Sequence, residues 1–141
     1  MGEAREVMDR VTEAVFSNKR EALAELYAPD AVAETPDQGT VSGRDQVVDW
    51  ALGFLSSFPD ATYETAHEHE SGDTAIDEGY VVGTNTGPLV MPDGESLPPT
   101  GKSVRLRAID AATVQNGQVT SHRFYFDQVD FLTQLGLAPE G

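Results

Sequence analysis

The residues best suited to chemistry lie late in the chain. Ser121-His122-Arg123-Phe124-Tyr125-Phe126-Asp127 reads as a strand. Side chains alternate along a strand, so Arg123, Tyr125 and Asp127 share one face while His122, Phe124 and Phe126 share the other. With the polar set turned toward an apolar interior, a carboxylate sits beside a phenol. Asp127 could then take and return a proton, and Tyr125 could donate to a carbonyl oxygen as an enolate develops. A second role is open to Asp127. It directly precedes a predicted helix over residues 128–135, where its carboxylate would accept from the amide of Val129 or Asp130 as an N-cap.

Asp110 and Asn85, on neighbouring predicted strands, are further candidate pocket groups, with ladder-edge or turn positions as their alternative. Trp50, Phe54 and Phe58 follow one another at four-residue spacing on a predicted helix. They form one stripe, either a wall for a flat ligand or plain core.

Other chemistries find little support. His67 and His69 share one strand face, but zinc needs a third ligand, so no metal site is expected and a solvated edge strand accounts for the pair. The chain has no cysteine, which removes thiolate nucleophiles, and it has no Gly-x-Ser-x-Gly elbow. Ser121 and His122 are adjacent on a strand and point apart. Gly83 and Gly87 lack the following helix and lysine of a phosphate-binding loop, so no organic cofactor is implied.

At 141 residues the chain is expected to form one domain, 1–141, with a single core. Its 24 acidic and 9 basic residues leave a net charge of −15, which repels phosphate backbones and anionic membrane surfaces. Neither nucleic acid nor membrane is an expected partner. No apolar run approaches the ~20 residues of a spanning helix, and the polar start shows no leader pattern, so a cytoplasmic protein is expected. Only the last few residues read as an unstructured tail.

The elements that must position these residues follow from periodicity. Val7, Met8, Val11, Ala14, Val15, Ala22, Leu23, Leu26 and Tyr27 recur at helical spacing from residue 3 to about 28, with a break at Ser17-Asn18-Lys19 and a stop at Pro29-Asp30. Residues 31–34 read as a short strand and 36–39 as a loop, and Ser42-Gly43-Arg44-Asp45 opens a helix through about Ser57, stopped by Phe58-Pro59-Asp60. From Ala61 the period becomes two. Strands are predicted over 62–70, 75–86, 103–115 and 119–126, with a Pro- and Gly-rich loop over 87–101 and Asn116-Gly117 as a hairpin turn. Helices followed by an antiparallel meander make an α+β domain, and a curved sheet wrapped by helices leaves a conical interior for a ligand.

Several short motifs stand together in order: Glu25-Leu26-Tyr27-Ala28-Pro29-Asp30, Phe58-Pro59-Asp60, Gly83-Thr84-Asn85-Thr86-Gly87-Pro88, Pro99-Thr100-Gly101 and Tyr125-Phe126-Asp127 with Gln134-Leu135-Gly136. In this order the chain resembles the SnoaL-like polyketide cyclases of the nuclear transport factor two-like superfamily, which also holds ketosteroid isomerases and limonene epoxide hydrolases. The resemblance covers nearly the whole chain. It implies a cone-shaped, curved mixed or antiparallel sheet wrapped by N-terminal helices (a cystatin-like α+β barrel), an apolar pocket and a homodimer formed through the sheet. It also implies that Asp127 is the general acid/base of an intramolecular aldol closure. Where many relatives carry histidine, this chain has Asn85 within Gly-Thr-x-Thr-Gly and Glu34 after the first short strand. Tyr125 stands where relatives often have Trp or His. Two functions are therefore expected to compete. One is a cofactor-independent cyclase or isomerase using Asp127 and Tyr125. The other is a non-catalytic homodimer that holds a small apolar or polycyclic molecule among Asn85, Asp110, Trp50, Phe54 and Glu34.

Overall fold

The computed structural model describes residues 2–91 and 94–137. The polar tail expected at the C-terminus lies outside them.

Two helices open the chain, α1 (Glu3–Phe16) and α2 (Arg20–Leu26), joined by a turn in which Asn18 takes a positive φ of 54°. The hairpin β1 (Tyr27–Thr35) and β2 (Gly39–Ser42) follows, then α3 (Arg44–Ser57). The meander comprises β3 (Thr62–Ser71), β4 (Thr74–Thr84), β7 (Ser103–Gln115) and β8 (Gln118–Phe126). A two-residue ribbon, β5 (Leu89–Val90) with β6 (Ser96–Leu97), interrupts it, and α4 (Gln128–Gln134) ends the chain.

The main sheet has six strands in the order β2-β1-β8-β7-β4-β3. All its pairings are antiparallel except β1 with β8, so the sheet is mixed. That parallel pairing comes from the first strand of the hairpin that precedes α3, and it sets Tyr27 opposite Val119 of β8. Helix was expected to run through Tyr27 to about residue 28. The chain instead turns extended at Tyr27 (φ −103°, ψ 140°), two residues before Pro29, whose ring disfavours helix at its predecessor. The ribbon β5–β6 falls within the expected loop, and the short strand β2 runs from the end of the expected 36–39 loop to Ser42, where a helix was expected to open. Both are too short for an alternating pattern to show.

Curvature is built into β3 and β4. The register slips between Thr65 and His67, leaving one extra residue on β3 opposite β4. At this kink Gly79 of β4 passes so close that a Cβ would lie 2.1 Å from the Glu64 carbonyl oxygen. Only glycine allows the strands to close there.

The two ends of the cone are packed differently. Helices α1–α3 fill the narrow end with Met8, Val11, Leu23, Val47 and Val48 against Ala112, Val114 and Val119. A second cluster of Phe58, Leu89, Val104 and Leu135 lies toward the wide end. Helix α4 is pinned to β7 by Gln134, whose Oε1 accepts from Arg105 N at 2.7 Å while its Nε2 donates to Arg105 O at 3.1 Å.

Charged groups hold α1 to the sheet. Arg5 is 3% exposed, and its guanidinium reaches Asp77 at 2.7 Å and Asp9 at 2.8 Å. Burial pushes the Asp77 carboxyl up, partly opposed by Arg5. The first turn of α1 follows Gly2, which has no side chain to cap it. The Glu70 carboxylate, arriving from β3, accepts from Gly2 N and Arg5 N, both at 3.0 Å. These backbone donors lower the Glu70 pKa from its ordinary 4.5. A carboxylate depressed in the folded state contributes stability above the ordinary glutamate range and loses it as pH falls through the lowered value. Glu70→Gln should therefore be less stable than wild type at about pH 6, and the gap should close toward about pH 3. Paired melting curves check this; a gap that stays constant would refute the capping role.

Candidate functional site

The wide end of the cone encloses a cavity of about 690 Å³. Its walls are mostly apolar and aromatic: Phe16 from α1, Trp50 and Phe54 from α3, Phe124 and Phe126 from β8, and Phe131 from α4. Phe54 stacks on Phe58 at 4.4 Å between ring centroids, and Phe126 meets Phe131 edge-on.

The polar centre of the wall is a chain of three side chains on three strands. His122 of β8 is 4% exposed. Its Nε2 meets Asp110 Oδ1 of β7, and its Nδ1 lies 2.6 Å from Tyr27 Oη of β1. An ionised carboxylate only accepts, so the histidine Nε2–H donates to Asp110. In the neutral ring Nδ1 then accepts from the Tyr27 hydroxyl. Burial first, and the Asp110 charge second, push the Tyr27 phenol well up, which keeps its proton in place. Trp50 packs edge-on against the imidazole at 5.0 Å and fixes the ring from the cavity side. Asp110 Oδ2 has no protein partner among the described residues, so one carboxylate oxygen is held and the other is available.

The opposite face of β8 lies outside. The face expected to point inward, Arg123, Tyr125 and Asp127, points away from the cavity, and His122, Phe124 and Phe126 line it. Burying two phenylalanines outweighs burying an arginine and a carboxylate, which sets the strand's orientation. Tyr125 is 45% exposed. Asp127 is exposed and caps α4, its Oδ1 accepting from Asp130 N at 3.1 Å. The acid/base position expected of Asp127 therefore lies outside the pocket.

The remaining expected residues divide. Asp110, Trp50 and Phe54 come together on the cavity wall. Glu34 alternates outward on β1 and is exposed. Asn85 is fully buried but turned into the loops. Its Nδ2 donates to Ser57 O (3.1 Å) and Gly87 O (2.9 Å), and its Oδ1 accepts from Thr100 N (2.7 Å) and Thr100 Oγ1 (2.9 Å). All four of its hydrogen-bonding positions serve the loop packing, where Gly87 passes so close that a Cβ would lie 1.9 Å from Ser56 O. Among the described residues no group of three or more His, Asp or Glu could hold a metal, and His69 pairs instead with Glu78 across β3–β4. No helix among them is long and apolar enough to cross a membrane.

A SnoaL-like domain model matches residues 8–122 of the chain. The chain belongs to the SnoaL-like family. Solved structures agree at the level of fold. A candidate SnoaL-like polyketide cyclase from Jannaschia sp. CCS1 superposes with a TM-score of 0.84 at 20% identity, covering 98% of this chain and 94% of that one. IdmH, a candidate polyketide cyclase from Streptomyces antibioticus, gives 0.79 at 25% identity over 96% and 99%. A protein of ketosteroid isomerase-like fold from Catenulispora acidiphila, in complex with trimethylamine, gives 0.75 at 18% identity over 95% and 94%. Comparison with curated proteins finds no match.

His122 and Tyr27 are the site residues that sequence reasoning missed. The signal for His122 was its place on the Phe124–Phe126 face. A polar ring among aromatics on a half-buried strand marks an interior group needing partners. Tyr27 carried no such signal, because its strand begins where the helical pattern still runs.

The SnoaL-like protein should tolerate loss of the Asp127 charge but not of the Asn85 amide. Asp127→Asn keeps a good cap and should change stability by less than about 0.5 kcal/mol. Asn85→Ala leaves buried donors and acceptors unpaired and should cost about 2–3 kcal/mol. Denaturant melts of both variants check this; equal losses would refute the assignment.

Proposed function

We propose that this SnoaL-like protein binds an apolar, ring-bearing carbonyl compound and moves a proton at the carbon α to the carbonyl, with Asp110 as the acid/base group. The observation that carries the reading is a carboxylate on the wall of an aromatic cavity, one oxygen engaged by a buried histidine and the other unpartnered. The cavity volume suits a ligand of two to four rings.

The proton balance is simple. Asp110 takes the α-proton and becomes a carboxylic acid while the substrate becomes an enolate. Returning the proton to another carbon completes an isomerisation. If the enolate carbon first attacks a second carbonyl of the same molecule, the proton goes to the resulting alkoxide and a ring closes. His122 is a positioning residue, holding the Asp110 plane by donating through Nε2. Tyr27 fixes the tautomer that makes this donation possible. No cofactor is needed for either reaction.

A homodimer through the sheet fits the outer face, where Ile109 and Tyr125 are 41% and 45% exposed. The non-catalytic reading, a pocket protein that holds its ligand unchanged, is favoured by one feature. The two positions where relatives carry histidine hold an exposed Glu34 and a loop-bound Asn85, and neither reaches the cavity.

Deuterium exchange at the α carbon of β-tetralone, followed by proton NMR in deuterium oxide, separates the two. The wild-type protein should accelerate exchange, Asp110→Asn should lose about 100-fold of that acceleration, and Asp127→Asn should stay within about 2-fold. Full exchange in Asp110→Asn would overturn the assignment. Binding of the ketone without any acceleration would favour the non-catalytic protein.

A further inference from the structure

The cavity has a second carboxylate. Asp37 lies in the turn between β1 and β2 and lines the cavity wall. Its Oδ1 is shielded from solvent and has no hydrogen-bond partner among the described residues. The neighbouring bond of the turn, Gln38 N to Thr35 Oγ1 at 3.3 Å, does not involve it. A sequestered carboxylate oxygen without a donor is costly, and the cost is recovered when a ligand supplies one.

Its place along the cavity is set by register. Ala33 of β1 pairs with His122 of β8, and Asp37 lies four residues farther on, on the side where β8 runs out toward Phe126 and α4. Asp110 and Asp37 therefore mark two separate stations on one wall. None of the lining residues is a lysine or arginine. Among the described lining residues the cavity offers a ligand two carboxylates and no lysine or arginine, inside a protein of net charge −15. A carboxylate or phosphate entering this space would lose its water and meet two carboxylates with no lysine or arginine to pair with.

Resting on the reading of the cavity as a substrate site, we infer that Asp37 is a specificity-determining residue that accepts a hydrogen bond from a hydroxyl or amine of the ligand. The cavity takes uncharged or cationic ring compounds bearing such a donor, and it rejects their carboxylate counterparts.

Equilibrium binding tests this without any turnover, so it does not depend on the acid/base role of Asp110. Three probes of one shape are titrated by calorimetry: β-naphthol, its methyl ether and β-naphthoate. Quenching of Trp50, the only tryptophan, reports occupancy of the cavity. The wild-type protein should prefer the naphthol to the ether by about 10-fold, the effect of one hydrogen bond to a charged acceptor, and should bind the naphthoate weakest. In Asp37→Asn, which keeps the shape and drops the charge, the preference should fall to about 3-fold or less and the naphthoate should bind better. Unchanged affinity for the ether shows that the variant is folded. In Asp127→Asn, outside the cavity, the naphthol preference should persist. A preference that survives Asp37→Asn, or that is lost equally in Asp127→Asn, overturns the role of Asp37 and leaves the cavity reading intact. Failure of every probe to bind or to quench Trp50 overturns both.

Discussion

The interior depends on how one buried histidine is satisfied. His122 sits on a wall of phenylalanines, where an unpaired imidazole nitrogen would cost more than the ring's own burial returns. Both nitrogens find partners only because three strands deliver them: β8 the ring, β7 the Asp110 carboxylate, β1 the Tyr27 hydroxyl. This constrains the topology. Strand β1 must run parallel to β8, and its register must slip between Tyr27 and Val32 to bring the phenol to the right level. The Pro29-Asp30 step that ends the helical pattern is what permits that slip. Trp50 then closes against the ring from α3, so helix, hairpin and meander meet at one imidazole.

The same arrangement explains why the cone is open at one end. At the narrow end small strand residues such as Ala33, Ala75 and Ala112 let α1–α3 approach and fill the space. At the wide end large rings stand around the walls and pack on one another in pairs, lining a volume instead of filling it. Core and cavity are thus two outcomes of one alternating pattern, separated by residue size. The two carboxylates of the cavity differ in how they are held: His122 engages one oxygen of Asp110, while Asp37 leaves an oxygen without a partner among the described residues.

Much of this was legible in residue types. The helices, the four meander strands and the Asn116-Gly117 turn stand out because each carries a strong local signal: period or turn chemistry. The two faces of β8 were also legible. Which face turns inward was not, because it depends on what the strand packs against, and the pairing of Asp127 with Tyr125 drew the polar face inward. Area decides the matter the other way, and Asp127 takes its alternative role as the cap of α4. Asp110, Trp50 and Phe54 were legible as pocket candidates because each lies on the apolar face of its element. Asn85 and Glu34 were not placed correctly. Nothing local shows that an amide will be consumed by two loops fifteen residues apart, or that a strand position in the order of a family motif faces solvent.

The central claim is that His122 is a fixed donor to Asp110, held in one tautomer by Tyr27. Nitrogen-15 NMR of the imidazole at neutral pH tests it most directly, since protonated and unprotonated ring nitrogens differ widely in chemical shift. The account predicts a slowly exchanging proton on Nε2 and an unprotonated Nδ1, with the Nε2–H form weakened in Tyr27→Phe. A proton on Nδ1 with Nε2 bare, or a ring averaging freely between tautomers, would contradict the account.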